Sequence, residues 1–436
     1  MKILIISYDF PPFNTIGAVR VGKMAKYLCK FGHDVRVITA GDQPLPSTLK
    51  VEIPPQNITY TNWVNFSKIA KFIFPKIRPQ KKVNETLERS KKLIKYNFLD
   101  KLLFLYRNCV YFPDAKIGWL PFAISATSRL IEENWKPDLI YASAVPFTSL
   151  MVARFLSLKY GIPWVGELRD LWVDNHFYDI FHSKGRKMLE EHLERWILSH
   201  ANGLVTVSKP HADILNKKYR KPVAVILNGF DREDYPTNEK KEVPLLSSIC
   251  IVYTGTIYAG ETFQNRQDPT PLFQSVDKLA RSGKHIELLF YANNPNSIKE
   301  MALQNHIEHL VKTPERVSYK KSLQIQTQAD ILLLLLWNDP QERGVYTGKL
   351  FEYIGAGRPI LAIGHSDNVA AELIRERKAG VVLNDPDAIA EQIRLWIHQK
   401  QTMGQIPSLP ANVGVGLSRE EQARKLENFM GDILKL

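Results

Sequence analysis

The sequence predicts an α/β protein built from two doubly wound parallel sheets, one in each half of the chain. Three observations predict it. Short apolar stretches alternate with amphipathic ones at helical spacing, the pattern of parallel strands covered on both faces by helices. A polar run breaks the alternation near the middle, and it then restarts. The 436 residues are 44% hydrophobic and 24% charged, ordinary globular composition with chain enough for two or three domains.

In the first half, strands are predicted at 2–8, 35–39, 139–142, 163–167, 203–207 and 223–227, with helices at 18–31, 147–160, 185–200 and 210–219. Residues 60–120 interrupt this unit and read as a helical insertion. The polar run 231–243, DREDYPTNEKKEV, reads as a linker, so the first domain is taken as 1–240 and the second as 241–410. Strands resume at 248–254, 286–291, 329–337, 359–363 and 380–383, with helices at 270–281, 319–328, 349–356 and 368–377. In the remaining segment, 411–436, a helix opens at Ser418 with Glu421 three residues on, a capping box. Its apolar positions Ala423, Leu426, Phe429, Met430, Ile433 and Leu434 form one stripe, which is expected to pack back on the first domain.

Several function classes fall away on composition. Cys29, Cys109 and Cys250 are odd in number and far apart, which excludes a disulfide scaffold or zinc ribbon and fits a reducing compartment. The longest apolar run, 331–337, is far short of the roughly 20 residues that span a bilayer. The N-terminal MKILIISYDF lacks the small-residue cleavage site of a signal peptide. A cytoplasmic protein is expected. The eleven histidines show no metal-ligand spacing and no Asp-x-Asp occurs, so no metal is expected. Neither a G-x-G-x-x-G fingerprint nor a P-loop is present.

The net charge of +13 is concentrated. Between Lys68 and Arg107 stand twelve basic and three acidic residues, interleaved with Phe72, Phe74, Leu93, Phe98 and Phe104. Basic plus bulky apolar is the composition of a segment lying on an anionic membrane. A solvated helical insertion is the alternative. No zinc-finger, RNA-recognition or basic-zipper signature points to nucleic acid.

Two stretches could carry chemistry. The first strand leads into YDFPPFNTIGAVRVGKMAKYL, where Gly17 opens a helix whose free N–H groups could hold phosphate, or simply marks a turn. Arg20, one turn on, either reaches an anion or faces water. The sharper stretch is GVYTGKLFEYIGAGRPILAIG, residues 344–364. Thr347 and Gly348 precede a helix with Lys349 in its first turn, which suits a diphosphate. Glu352 has the acceptor oxygens for two ribose hydroxyls. The alternative is a Lys349–Glu352 pair on a solvated face.

These pieces, with PDAKIGWLPFA (113–123), GELRDLWVDN (166–175), LVTVSKP (204–210), ILNGFD (226–231), YTGTIYAG (253–260) and KLFEYIGAGRPIL (349–361), resemble the family 4 glycosyltransferases of the GT-B fold, in the bacterial branch that builds cell-surface polysaccharides such as lipopolysaccharide or capsule. The resemblance implies two Rossmann-like domains facing a cleft and a nucleotide diphosphate sugar as donor substrate, with no further cofactor. It implies that Glu352 contacts the ribose and that a basic pair neutralises the diphosphate. Arg266, in the loop that Gly255 opens, is the candidate arginine, and Lys349 supplies the second charge. That loop is longer than the family pattern. Gly344 stands where relatives place a first glutamate near the transferred sugar, with Glu342 nearby but out of register. Relatives have His-Asp at the end of strand 163–167; here Arg169 and Asp170 stand there, either on the donor sugar and acceptor or as a structural pair.

The family retains anomeric configuration. With no carboxylate nucleophile evident, the resemblance implies front-face attack, the leaving diphosphate taking the acceptor proton. The acceptor is expected to be a lipid-linked or cell-surface glycan precursor, met on the inner face of the membrane. The competing readings are an epimerase of the same fold and a non-catalytic membrane-bound scaffold. Each basic residue near an anionic surface contributes about 1 kcal/mol, and the attraction is screened within about 10 Å at 0.1 M salt. Reversing Lys81, Lys82, Lys91, Lys92 and Lys95 to glutamate is therefore expected to release the protein from anionic vesicles in a sedimentation assay, with donor binding intact. Equal sedimentation of variant and parent would leave only the solvated insertion.

Overall fold

Strand β1 (Lys2–Ile6) shows why the strands are apolar throughout: Ile3 and Ile5 enter one core, Leu4 and Ile6 the other. In the computed structural model the described residues are 1–66, 110–175, 183–236, 248–258, 266–293 and 295–435. The basic segment 68–107 lies outside them, so the helical insertion and its membrane contact are not described. By its contacts the chain divides into two compact units, Met1–Asn228 with Arg419–Leu436, and Gly229–Ser418.

The first unit carries β1, β2 (Asp34–Ala40), β3 (Ile58–Thr61), β4 (Leu139–Ala144), β5 (Trp164–Leu168), β6 (Gly203–Thr206) and β7 (Val223–Val225), in the order β3-β2-β1-β4-β5-β6-β7 and all parallel. Its helices are α1 (Ile16–Lys30), α2 (Leu120–Glu132), α3 (Thr148–Tyr160), α4 (Lys184–Leu198) and α5 (Lys209–Tyr219). The second unit orders β8 (Ser248–Gly255), β9 (His285–Ala292), β10 (Val311–Lys312), β11 (Ile331–Leu335), β12 (Ile360–Ile363) and β13 (Gly380–Val382) as β10-β9-β8-β11-β12-β13, again all parallel. Helices α6 (Thr270–Arg281), α7 (Pro295–Gln304), α8 (Tyr319–Gln328), α9 (Gly348–Ala356), α10 (Val369–Arg377) and α11 (Pro386–Met403) cover it. The expected class, two doubly wound parallel-sheet units, is what the structure contains.

Some readings need correction. Residues 58–61 are not the start of a helical insertion but edge strand β3, paired with β2 from Ile58↔Val37 to Thr61↔Ala40. Strand β10 and helices α2, α7 and α11 add to the predicted elements. The last helix, α12 (Arg419–Lys435), starts just after Ser418 and packs on α1. Its Ala423, Leu426, Met430 and Ile433 share a core with Val21, Met24, Ala25 and Leu28, while Leu434 is left exposed. Gln422 Oε1 accepts from the Leu227 N–H at 2.7 Å, and His33 Nε2 lies 2.7 Å from Glu427. Among the described residues no helix is long and apolar enough to cross a membrane.

Arg20 does not face water, and the anion it reaches is a carboxylate of the fold itself. It is fully buried, and its Nε and Nη2 meet Glu167 Oε1 at 2.9 and 2.7 Å. The same guanidinium donates to the Ile226 and Leu227 carbonyls, at 2.8 and 2.7 Å. Helix α1 is thus tied to β5 and to the chain leaving β7. Burial pushes the Glu167 carboxyl up, but Arg20, with Arg169 and Ser143, more than reverses this and holds it below the usual range. Removing one partner of such a pair strands the other. Arg20→Met is expected to cost about 3–5 kcal/mol in a denaturant titration, and Arg20→Met with Glu167→Leu distinctly less. A double variant no more stable than the single would show that the pair is not the tie.

Candidate functional site

In the second sheet the chain leaves β8 toward β9 on one side and leaves β11 toward β12 on the other, so the switch point lies between β8 and β11. Ligands of open parallel sheets sit beyond the carboxyl ends of strands at such a point. There β8 ends on Gly255 and α9 begins at Gly348. Lys349, in the first turn of α9, reaches over Gly255. Its ammonium donates to the Thr256 carbonyl at 3.3 Å and stands 5.1 Å from the centre of the Tyr253 ring. Gly255 has φ +109°, a backbone conformation that favours glycine, and a Cβ there would lie 2.6 Å from Lys349 Cε and displace that side chain.

Among the described residues no carboxylate comes within ion-pair distance of Lys349. Burial pushes its ammonium down to about 8, against the opposing pull of Glu352. Glu352 is half-buried, and its Oε2 accepts from Gln326 Nε2 at 3.3 Å. Gln326 also donates to Thr254 Oγ1 at 3.0 Å, and the Thr254 N–H donates to the Tyr353 hydroxyl at 3.2 Å. Lys349 and Glu352 are therefore not a solvated surface pair. Thr347 precedes α9 without capping it, and its Oγ1 is buried with no partner. A desolvated ammonium beside the N–H groups of a helix start can bind a phosphate group, and Glu352 can accept from hydroxyls.

Arg266 follows the undescribed loop 259–265. Burial lowers its pKa, and Asp339 and Glu342, in the loop between β11 and α9, oppose that. Glu342 is buried, so the carboxylate nearest the expected first glutamate faces Arg266, and Gly344 itself is buried.

In the first unit the guanidinium of Arg169 lies so close over Gly17 that a Cβ there would displace it. Its Nε donates to the Ala144 carbonyl at 2.8 Å and its Nη2 to the Val145 carbonyl at 2.6 Å. Asp170 is exposed and makes no ion pair with Arg169, so the structural-pair alternative fails; it faces His211 instead, whose pKa burial lowers and Asp170 partly restores. Two residues absent from the expected set stand with Arg169. Burial raises the Asp9 carboxyl, and Arg169, Lys116 and Thr15 act against that rise. The Lys116 ammonium stands 4.7 Å from the Tyr8 ring centre and 4.6 Å from that of Trp63. The structure thus groups Gly17 with Arg169, and Gly255, Thr347, Gly348 and Lys349 with Glu352. Asp9 and Lys116 lie within the motifs YDFPP and PDAKIGW, which was the available signal; Gln326 had none.

The family model described as Glycosyltransferase Family 4 matches residues 17–234. No curated protein sequence matches the chain. Among solved structures, sucrose-phosphate synthase from Thermosynechococcus elongatus is similar at 13% identity and TM-score 0.63, over 100% of this chain and 99% of that one. HepE from Anabaena in complex with UDP-glucose is similar at 15% identity and TM-score 0.60, over 99% and 100%. The lipopolysaccharide outer core galactosyltransferase WaaB, in its apo form, is similar at 13% identity and TM-score 0.52, over all of both chains. At these identities the likeness is one of fold, the GT-B arrangement of two parallel-sheet α/β domains.

A folded-state pKa near 8 against 10.5 in the unfolded chain means that Lys349 works against folding wherever it is charged. The penalty is full below pH 8 and fades between pH 8 and 10.5. Lys349→Met is expected to raise the melting temperature of the ligand-free protein at neutral pH, and the gain should close as pH approaches 10.5. A lower melting temperature at neutral pH would contradict the desolvated-ammonium description.

Proposed function

The chain belongs to glycosyltransferase family 4, and we propose that it moves a sugar from a nucleotide diphosphate sugar to a hydroxyl acceptor, with retention and without a metal. The observation that carries this reading is Lys349, a half-buried ammonium at the start of α9 that donates to a carbonyl and, among the described residues, has no carboxylate within ion-pair distance. A diphosphate supplies the missing charge. Glu352, held by Gln326, takes the ribose hydroxyls of the same nucleotide. HepE, of similar fold, was solved with UDP-glucose, which supports a nucleotide sugar as donor.

In this reading the bond from the anomeric carbon to the diphosphate oxygen breaks as the acceptor oxygen bonds on the same face. The departing diphosphate takes the acceptor proton. Lys349, the N–H groups at Gly348 and Arg266 stabilise the charge that grows on the leaving group, and loss of one such preorganised donor typically lowers the rate about 100–1000-fold. Arg169, anchored on two carbonyls over Gly17, and exposed Asp170 hold the acceptor hydroxyl. Gly344 offers the transferred sugar no carboxylate. The acceptor is a lipid-linked or cell-surface glycan precursor, and the protein works at the inner face of the membrane.

The experiment is a transfer assay with a panel of nucleotide sugars and a soluble acceptor, run in excess chelator. Activity is expected to persist, with Glu352→Gln weakening nucleotide binding and Lys349→Ala lowering turnover by about 100-fold or more. Release of free sugar or an epimer without transfer, wild-type rates in both variants, or loss of activity to chelator with rescue by magnesium would each contradict the proposal.

A further inference from the structure

Helices α3 and α4 of the first unit turn their inner faces to its core, through Val152, Ala153 and Leu156 on α3 and Ile197 and Leu198 on α4. Their outer faces are also apolar. Leu158 is 62% exposed, Met188 57% and Leu189 59%, with Phe155 and Trp196 exposed beside them. Phe155 and Trp196 meet edge-on with ring centres 5.8 Å apart, so the two helices present one continuous strip. Residues 155 and 158 lie one turn apart on α3, and 188 or 189 and 196 two turns apart on α4, as one face of each helix requires.

The charge on this face differs from the charge in the sequence. Helix α4 carries three glutamates, but Glu190 and Glu194 are turned inward. Glu190 takes Arg186 at 2.6 Å and the Trp172 N–H at 2.7 Å; Glu194 takes the Tyr219 hydroxyl at 2.6 Å and Lys218 at 3.2 Å. What remains exposed on the two helices is Lys159, Lys184 and Arg195 against Glu191, and exposed Glu132 of α2 lies near Lys159, so the face keeps a small positive excess. Arg154, beneath, stacks its guanidinium 5.1 Å from the Trp196 ring centre.

We propose that this face of α3 and α4 docks on an anionic lipid bilayer. Exposed aliphatic and aromatic side chains enter the headgroup boundary while the flanking cations meet lipid phosphate. A polyanion such as nucleic acid would use the cations but leave Leu158, Met188 and Leu189 in water. Its residues are not those of segment 68–107, and its benefit to sugar transfer, though not the docking itself, rests on the lipid-linked acceptor proposed above.

The test is flotation of the full chain with vesicles of equal parts phosphatidylcholine and phosphatidylglycerol, and with phosphatidylcholine alone. Leu158→Gln with Leu189→Gln, both at exposed positions, is expected to weaken binding to the anionic vesicles about tenfold or more. Lys159→Glu with Arg195→Glu should weaken it and remove the preference for the anionic lipid. Both variants should keep the parent's melting temperature and its transfer rate to a soluble acceptor. Flotation of the Leu158, Leu189 variant equal to the parent's would overturn the surface. So would a parent dimer in sedimentation analysis that those changes split, which would assign the strip to a second copy. Transfer to the soluble acceptor in the parent protein is read separately, so a failed surface is not mistaken for a failed function.

Discussion

A buried positive charge has to be answered, and the two units answer it in opposite ways. In the first, Arg20 leaves water completely but meets Glu167 and the carbonyls of Ile226 and Leu227, so its charge is matched within the fold. In the second, Lys349 is half-buried over Gly255, where it meets the Thr256 carbonyl and the Tyr253 ring and, among the described residues, no carboxylate within ion-pair distance. The first arrangement is structure. The second carries a free-energy cost from burial, which in the proposed function an incoming anion removes. Gly255 at positive φ, the start of α9 without a side-chain cap bond and the Gln326 bond to Glu352 all lie around that ammonium.

Most of the sheet framework was legible because strands buried on both faces are apolar at every position, as ILLLL in β11 shows. What escaped was short and lay at the edges. β3 has four residues with two exposed, and β10 has two residues, neither buried, so neither leaves an apolar run to read. Helical periodicity gives the face of a helix but not which polar residues it buries. Arg20, Lys23 and Lys26 look like a solvated stripe of α1, yet all three are buried, the lysines at 2.7 and 2.9 Å from Glu52. The inward glutamates of α4 are the same failure with the sign reversed.

The geometry of the candidate site was legible where it is local. A helix opening at Thr347-Gly348-Lys349 with Glu352 one turn on is a local pattern, which the sequence left open between a phosphate and hydroxyl site and a solvated pair, and the structure half-buries the Lys349 and Glu352 side chains. The roles of Gly17 and Gly255 were legible only in outline. Each glycine lies under a side chain distant in sequence, Arg169 over one and Lys349 over the other. Asp9, Lys116 and Gln326 depend wholly on such long-range placement.

Membership of a glycosyltransferase family and a GT-B framework leave the donor site to be tied to this chain's own residues, and Lys349 is where that tie is made. Its titration can be followed directly by NMR of lysine labelled at Cε, using Lys349→Arg to assign the signal. The account predicts a free-state pKa of about 8, rising toward or beyond 10.5 when a nucleoside diphosphate is added. A Lys349 that titrates near 10.5 without ligand, or one whose titration a bound nucleoside diphosphate leaves unmoved, would contradict it.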